Sequence, residues 1–266
     1  MKWAQQDLNL RPRDYESPAL TAELWARSSA RTRELAYRQT GAKIDRSGRS
    51  LVLPTVQQTY DTILLDLGGV LIDVDYHATA EAFQALGHAD FEQLYSQAQQ
   101  DHLFDGFEVG ALSPAEFRDR IRAVLGSGLT DTVIDTSWNA MLGSVHPQRI
   151  DLVHRLKQRY QVLLLSNTNA IHVPAFEAII AQENGITDFK ALFHGAYYSC
   201  EIGLRKPDAA SFLHVLEKHG ADPARTLFMD DSIQHVRGAR QAGLHAEHLE
   251  LAHEDILGLT QRLRLL

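Results

Sequence analysis

Cysteine is almost missing from this chain: Cys200 is the only one in 266 residues. A single thiol excludes an intramolecular disulfide and a cysteine-built zinc site, so a reducing compartment, the cytoplasm, is the expected setting. Long apolar runs are missing too. Stretches such as 162–165 fall far short of the roughly 20 residues a membrane helix needs, and the N-terminus has no apolar core of the kind a signal peptide requires. No membrane partner is expected. Nor is there a Lys/Arg block. Residues 1–60 hold 10 Lys+Arg against 6 Asp+Glu, a net +4, which leaves 16 against 28, or −12, for the remainder of a chain whose total is −8. An acidic body argues against general nucleic-acid binding, whose affinity comes largely from neutralised phosphates.

Residues 1–58 lack both a sustained helical stripe and strand alternation, although 22–37 suits an unanchored helix. The stretch 7–20 resembles peptides obtained when a structural-RNA gene is translated ahead of a real reading frame. The expectation is a poorly ordered or spurious extension, with the true start near Val52 or Val56. From Tyr60 onward, short apolar strands alternate with helices. Strands are expected at 62–65, 162–165, 191–196, 226–229 and 244–249, with helices at 173–182, 209–219, 233–242 and 254–265. Such alternation specifies the α/β class: a Rossmann-like parallel sheet with helices on both faces, built from 59–75 and 147–266. Between the first two strands, 76–146 read as helices only, at 78–86, 91–100, 115–125 and 132–142. Ser113-Pro114-Ala115-Glu116 marks one start with a Ser N-cap, Pro at the first helical position and an acid that closes a capping box. An insert leaving after the first strand would stand over that strand's carboxyl end as a lid.

Four polar positions follow apolar runs or sit in loops: Asp66, Ser166-Asn167, Lys206 and Asp230-Asp231. In a parallel sheet the carboxyl ends converge, and ligands bind there. A nucleophilic carboxylate, a lysine, a hydroxyl and an acidic pair with oxygen donors are the set that phosphoryl transfer needs. Where a second acid would serve as general acid, two residues after Asp66, the chain has Gly68.

Asp66-Leu67-Gly68-Gly69-Val70-Leu71-Ile72-Asp73, Leu165-Ser166-Asn167-Thr168-Asn169, Gly203-Leu204-Arg205-Lys206-Pro207-Asp208 and Phe228-Met229-Asp230-Asp231-Ser232 resemble the four ordered motifs of the haloacid dehalogenase (HAD) superfamily. The likeness spans about residues 60–250 and is greatest to the alpha-glucose-1-phosphate phosphatase-like branch, in which a glycine also stands two residues after the nucleophile. It implies that 76–146 form a helical cap and that Asp66 is a nucleophile passing through an aspartyl-phosphate. It also implies Mg2+ held by Asp66, the Gly68 carbonyl and Asp231, with Asp230 supporting, and a phosphoryl group bound by Ser166, the Asn167 backbone and Lys206. The implied activity is hydrolysis of a small, sugar-like phosphate ester. Two other activities share the pattern: a metal-independent 2-haloacid dehalogenase, and a phospho-ligand-binding protein with low turnover. His235 departs from the usual Asn or Asp of the superfamily. Asp73 or Asp75 are candidates to supply the missing acid, His102, near Asp105 and Glu108, is a candidate for substrate contact, and Cys200 is expected to be buried beside a strand.

Overall fold

The computed structural model describes residues 43–44, 50–51, 60–87, 103–125 and 128–266. The expectations for the N-terminal extension, for a helix at 91–100 and for His102 lie outside the described residues, except that Lys43–Ile44 and Ser50–Leu51 pair as a short antiparallel ribbon.

Five parallel strands make the main sheet: β1 (Thr62–Leu65), β2 (Gln161–Ser166), β3 (Gly195–Tyr198), β4 (Thr226–Asp230) and β5 (His245–His248), in the spatial order β3-β2-β1-β4-β5. The central strands are apolar at nearly every position because both faces are covered. Strand alternation then divides the core. Ile63, Leu65, Val162, Leu164, Leu227 and Met229 pack on one face, and Leu64, Leu163, Leu165 and Phe228 on the other. The first face is covered by α5 (Pro147–Lys157), α6 (His172–Asn184) and α10 (Ile256–Arg262). The second is covered by α8 (Ala209–Lys218) and α9 (Ile233–Gln241), and the short α7 (Ser199–Ile202) follows β3 directly.

Between β1 and α5 the described residues form four helices: α1 (Tyr76–Ala85), α2 (Leu103–Glu108), α3 (Pro114–Leu125) and α4 (Asp131–Asn139). The insert leaves and returns through one stalk, in which Asp73 N donates to Ser144 O at 3.0 Å, Asp75 N to Met141 O at 2.9 Å and Gly143 N to Asp73 O at 2.8 Å. The Asp75 carboxylate caps α1, accepting from His77 N at 2.9 Å. Asp73 pairs with Arg149 at 2.7 Å. The capping box of α3 forms as its sequence specifies, with Ser113 N donating to Glu116 Oε2 at 2.8 Å and Glu116 N to Ser113 Oγ at 3.3 Å.

One stretch differs from expectation. The strand expected at 191–196 is a 3-10 turn at Lys190–Leu192 followed by β3 from Gly195. Leu192 and Phe193 are apolar because they plug the core from a turn, a role that composition does not separate from a buried strand. Helix α2 is not among the helix ranges read from the sequence; it has only six residues with Gly106 among them, and aromatic packing rather than propensity sustains it.

That packing is centred on Phe117, fully buried, with Phe107 stacked at 4.2 Å and Trp138 tilted at 4.9 Å between ring centroids. Truncation to Phe117→Ala is expected to lower the unfolding free energy by about 3–5 kcal/mol in urea titration. A loss below about 1 kcal/mol would show that the insert does not depend on this cluster.

Candidate active site

Parallel register brings the strand ends together. Asp66 follows β1, and its amide donates to Met229 O of β4 at 3.1 Å, while Ser166 ends β2 and Asp230 ends β4. Lys206 belongs to no strand. Asn167 places it with a two-way amide clasp, accepting from Lys206 N and donating to Lys206 O, both at 2.9 Å. The Lys206 ammonium, wholly buried, then stands 2.6 Å from Asp66 Oδ1 and 2.8 Å from Asp230 Oδ2.

Burial and the Asp230 charge push the Asp66 carboxyl well above the usual carboxylate range, against the pull of Lys206. Asp230 goes the other way: burial opposes its charge, but Lys206 and His235 overcome that and hold it low. For Lys206, burial alone would lower the pKa; the two carboxylates outweigh it and keep the ammonium charged. Asp231 is raised by burial and by Asp230.

His235 finds its place here. Its Nδ1 lies 3.0 Å from Asp230 Oδ2, and Ser232 N donates to the other Asp230 oxygen at 2.7 Å. Both Asp230 oxygens are therefore engaged, which leaves Asp231, facing the cavity, the freer carboxylate. Asp66, Asp230 and His235 offer ligand atoms within 4.8 Å of one another. The two glycines after Asp66 differ. Gly69 has φ +69°, and a Cβ there would run into the Asp231 carboxylate; only glycine lets that acid lie against the turn. Gly68 is under no such demand, since its Cβ would meet only Val74 Cγ2 at 3.4 Å. A Cβ at this position therefore meets no more than ordinary contact.

Above these groups lies a cavity of about 430 Å³. Asp66, Gly68, Ser166, Asn167 and Asp231 line it, whereas Lys206 and Asp230 lie buried beside it. The insert contributes Tyr76, Phe104, Phe107, Glu108 and Trp138. Neither Asp73 nor Asp75 reaches it. Glu108, raised by burial and partly offset by Arg205, faces this space. Cys200 is half-buried in α7 just past β3, and burial pushes its thiol up to about 11, so it is not a ready nucleophile.

Sequence reasoning missed His172, Trp138 and Arg205 as lining groups. Trp138 carried a signal, being the only tryptophan beyond residue 25. His172 carried none, since it is one histidine among 13. It stacks on Trp138 with 5.3 Å between centroids, and its Nδ1 lies 2.8 Å from Asn139 Oδ1. An amide oxygen only accepts, so Nδ1 carries the hydrogen and Nε2 is an acceptor. Burial lowers the His172 pKa to about 4. Between that value and the unfolded one, about 6.5, only the unfolded chain takes the proton, so folding stability falls as pH drops through this window. The share from His172 is about 3 kcal/mol. Urea titrations from pH 7 to pH 4 are expected to give a shallower acid loss in His172→Gln; an unchanged slope would contradict the buried neutral histidine.

Comparison with known proteins accords with this arrangement. The family model of haloacid dehalogenase-like hydrolases matches residues 60–243. A D-ribitol-5-phosphate phosphatase of Bacteroides thetaiotaomicron is 29% identical over 186 residues, 68% of this chain and 87% of that protein. A HAD family enzyme of the same organism, in a crystal structure with magnesium and inorganic phosphate, is 34% identical with a TM-score of 0.67, over 75% of this chain and 98% of that one. A HAD-like family hydrolase of Porphyromonas gingivalis is 30% identical with a TM-score of 0.69, over 77% of this chain and 98% of the other. With the family match running from the strand that presents Asp66 to beyond the one that presents Asp230 and Asp231, the chain belongs to the haloacid dehalogenase-like hydrolases.

Proposed function

We propose that this chain is a Mg2+-dependent phosphomonoesterase that hydrolyses a small, sugar-like phosphate through an aspartyl-phosphate on Asp66. The observation that carries this reading is the buried Lys206 ammonium set 2.6 Å from the Asp66 carboxylate, next to a cavity that Ser166 and Asp231 also face. A cation at that point offsets the charge that accumulates when a phosphate dianion approaches an aspartate. The relatives lend support, since one is named as a sugar-alcohol phosphate phosphatase and another holds magnesium and phosphate.

Residues 76–146 act as the cap, closing the cavity from above and excluding water. Asp66 attacks phosphorus as the ester P–O bond breaks and the alcohol oxygen leaves with its electron pair. Water then attacks phosphorus, which frees inorganic phosphate and restores the carboxylate. Lys206, the Ser166 hydroxyl and the Asn167 amide hold the phosphoryl oxygens. The donor set fits a hard divalent cation, because it is built from carboxylate and carbonyl oxygens and Gly69 leaves room for Asp231 where a Cβ would stand. Asp66, the Gly68 carbonyl and Asp231 would hold Mg2+, with Asp230 and His235 behind them. When bound, the ion supplies positive charge to the transferring oxygens. The acid pair at the end of β4 favours this reading over a metal-independent 2-haloacid dehalogenase.

Gly68 gives the leaving group no proton from the usual position, so substrates with stable leaving groups, such as an anomeric phosphate, are favoured. Phosphate release from a panel of sugar phosphates is expected to require Mg2+, to stop with EDTA and to fall at least about a thousandfold in Asp66→Asn, with no chloride released from 2-chloropropionate. Activity that survives Asp66→Asn would end the proposed mechanism. Gly68→Asp, at a position where a Cβ meets only Val74, is expected to raise turnover of an alkyl phosphate relative to nitrophenyl phosphate by about tenfold or more, since a general acid helps most where the leaving group is poor. An unaltered ratio would show that proton donation from this position is not what the enzyme lacks.

A further inference from the structure

One ion-paired cluster in the cavity is not used by the chemistry above. Glu108 ends α2, and Arg205 directly precedes Lys206. The Arg205 guanidinium reaches up to the insert, with Nη1 on Asp105 and Nη2 2.9 Å from Glu108 Oε2. Both Glu108 and Arg205 line the cavity. The end of α2 is set by backbone contact as well as by charge. Gly110, at φ +70°, presses so closely on the carbonyl of Cys200 in α7 that a Cβ would collide with it. Glu108 is thus carried on a piece of the insert fitted against the core.

The pair is incomplete by its own hydrogen bonding. Arg205 Nε and Glu108 Oε2 are buried without a hydrogen-bond partner, the latter ion-paired but not aligned. Buried polar atoms are rarely left this way. Their chemistry says what would complete them. A guanidinium N–H only donates and a carboxylate oxygen accepts, so the two together match groups that do both, namely hydroxyls. Charge narrows the choice: a second phosphate or a carboxylate on the substrate would meet the negative Glu108 and Asp105 as well as Arg205. Beside the pair, Phe104, Phe107 and Trp138 offer apolar faces suited to the C–H side of a carbon chain.

We propose that Glu108 and Arg205 form a hydroxyl-recognising subsite, so that the substrate is a polyhydroxylated monophosphate, a sugar or alditol with no second anionic group. The proposal rests on the phosphomonoesterase reading for its substrate, and it assigns to the pair the discrimination between hydroxylated and plain alkyl esters. Sites built to bond a hydroxyl reject analogues that lack it, because their own polar groups then stay unpaired.

The test compares D-ribitol 5-phosphate with butyl phosphate, two esters with alkoxide leaving groups that differ in hydroxyls. The intact chain is expected to favour the polyol ester by about a hundredfold or more in kcat/KM, and Glu108→Gln to cut that ratio at least about thirtyfold, mainly through KM. A wild-type ratio near one, or a ratio unchanged in Glu108→Gln, overturns the subsite. An equal loss of kcat on both esters with nitrophenyl phosphate spared would make Glu108 a proton donor and also overturn it. If the wild type hydrolyses no ester, the phosphatase reading fails on its own. Calorimetric affinities of the same two esters for Asp66→Asn and for Asp66→Asn/Glu108→Gln then decide the subsite: a polyol preference that disappears with Glu108 supports it, and no preference overturns it.

Discussion

A buried lysine between two carboxylates is the constraint on which the rest of this structure depends. Lys206 Nζ touches Asp66 and Asp230 at 2.6 and 2.8 Å with no exposure to solvent. Removing one partner from a buried charge set of this kind costs about 3–5 kcal/mol, so the fold must deliver all three groups together. Two come from adjacent parallel strands, which converge at their carboxyl ends because β1 pairs in register with β4. The third comes from a loop, and the Asn167 clasp brings it in from β2. Asp230 spends its oxygens on Lys206, Ser232 and His235. It is a fixed anion that orients the lysine, and Asp66 and Asp231 are left to face the cavity.

The surrounding glycines divide the remaining work. Gly69 bends the chain so that Asp231 can approach the turn, and Gly110 lets α2 rest on α7. Gly68 does neither. A Cβ there would meet only Val74, and the site carries one carboxylate on that turn where a general acid would double it. On the proposed reading such a centre is strong in electrostatic stabilisation and weak in leaving-group protonation.

Much of this is legible in the sequence. Asp66, Ser166 and Asp230 each follow an apolar strand, and that pattern alone places them on one sheet edge. The lysine was not accessible in the same way. Its local sequence marks it only as a charged group in a loop, and its role comes from likeness to an ordered motif; the reason for its position, the Asn167 side chain, is a contact across 39 residues. Expectation failed where burial came from a turn instead of a strand, as at Leu192 and Phe193, and the bounds of α2 escaped notice because a six-residue helix is too short to show a period. Asp73 and Asp75 looked available in sequence because their partners, Arg149 and the amide of His77, are set by the stalk geometry and the helix start. His172 and Arg205 join the cavity through tertiary packing alone.

The central claim is that Asp66 becomes covalently attached to phosphorus during turnover. Acid quenching of a single turnover with a sugar phosphate, followed by peptide mass analysis, tests this directly. A phosphoryl increment on Asp66 that appears and decays within the turnover is the predicted result. Full turnover with Asp66 never modified, or an increment carried by another residue, would contradict the account.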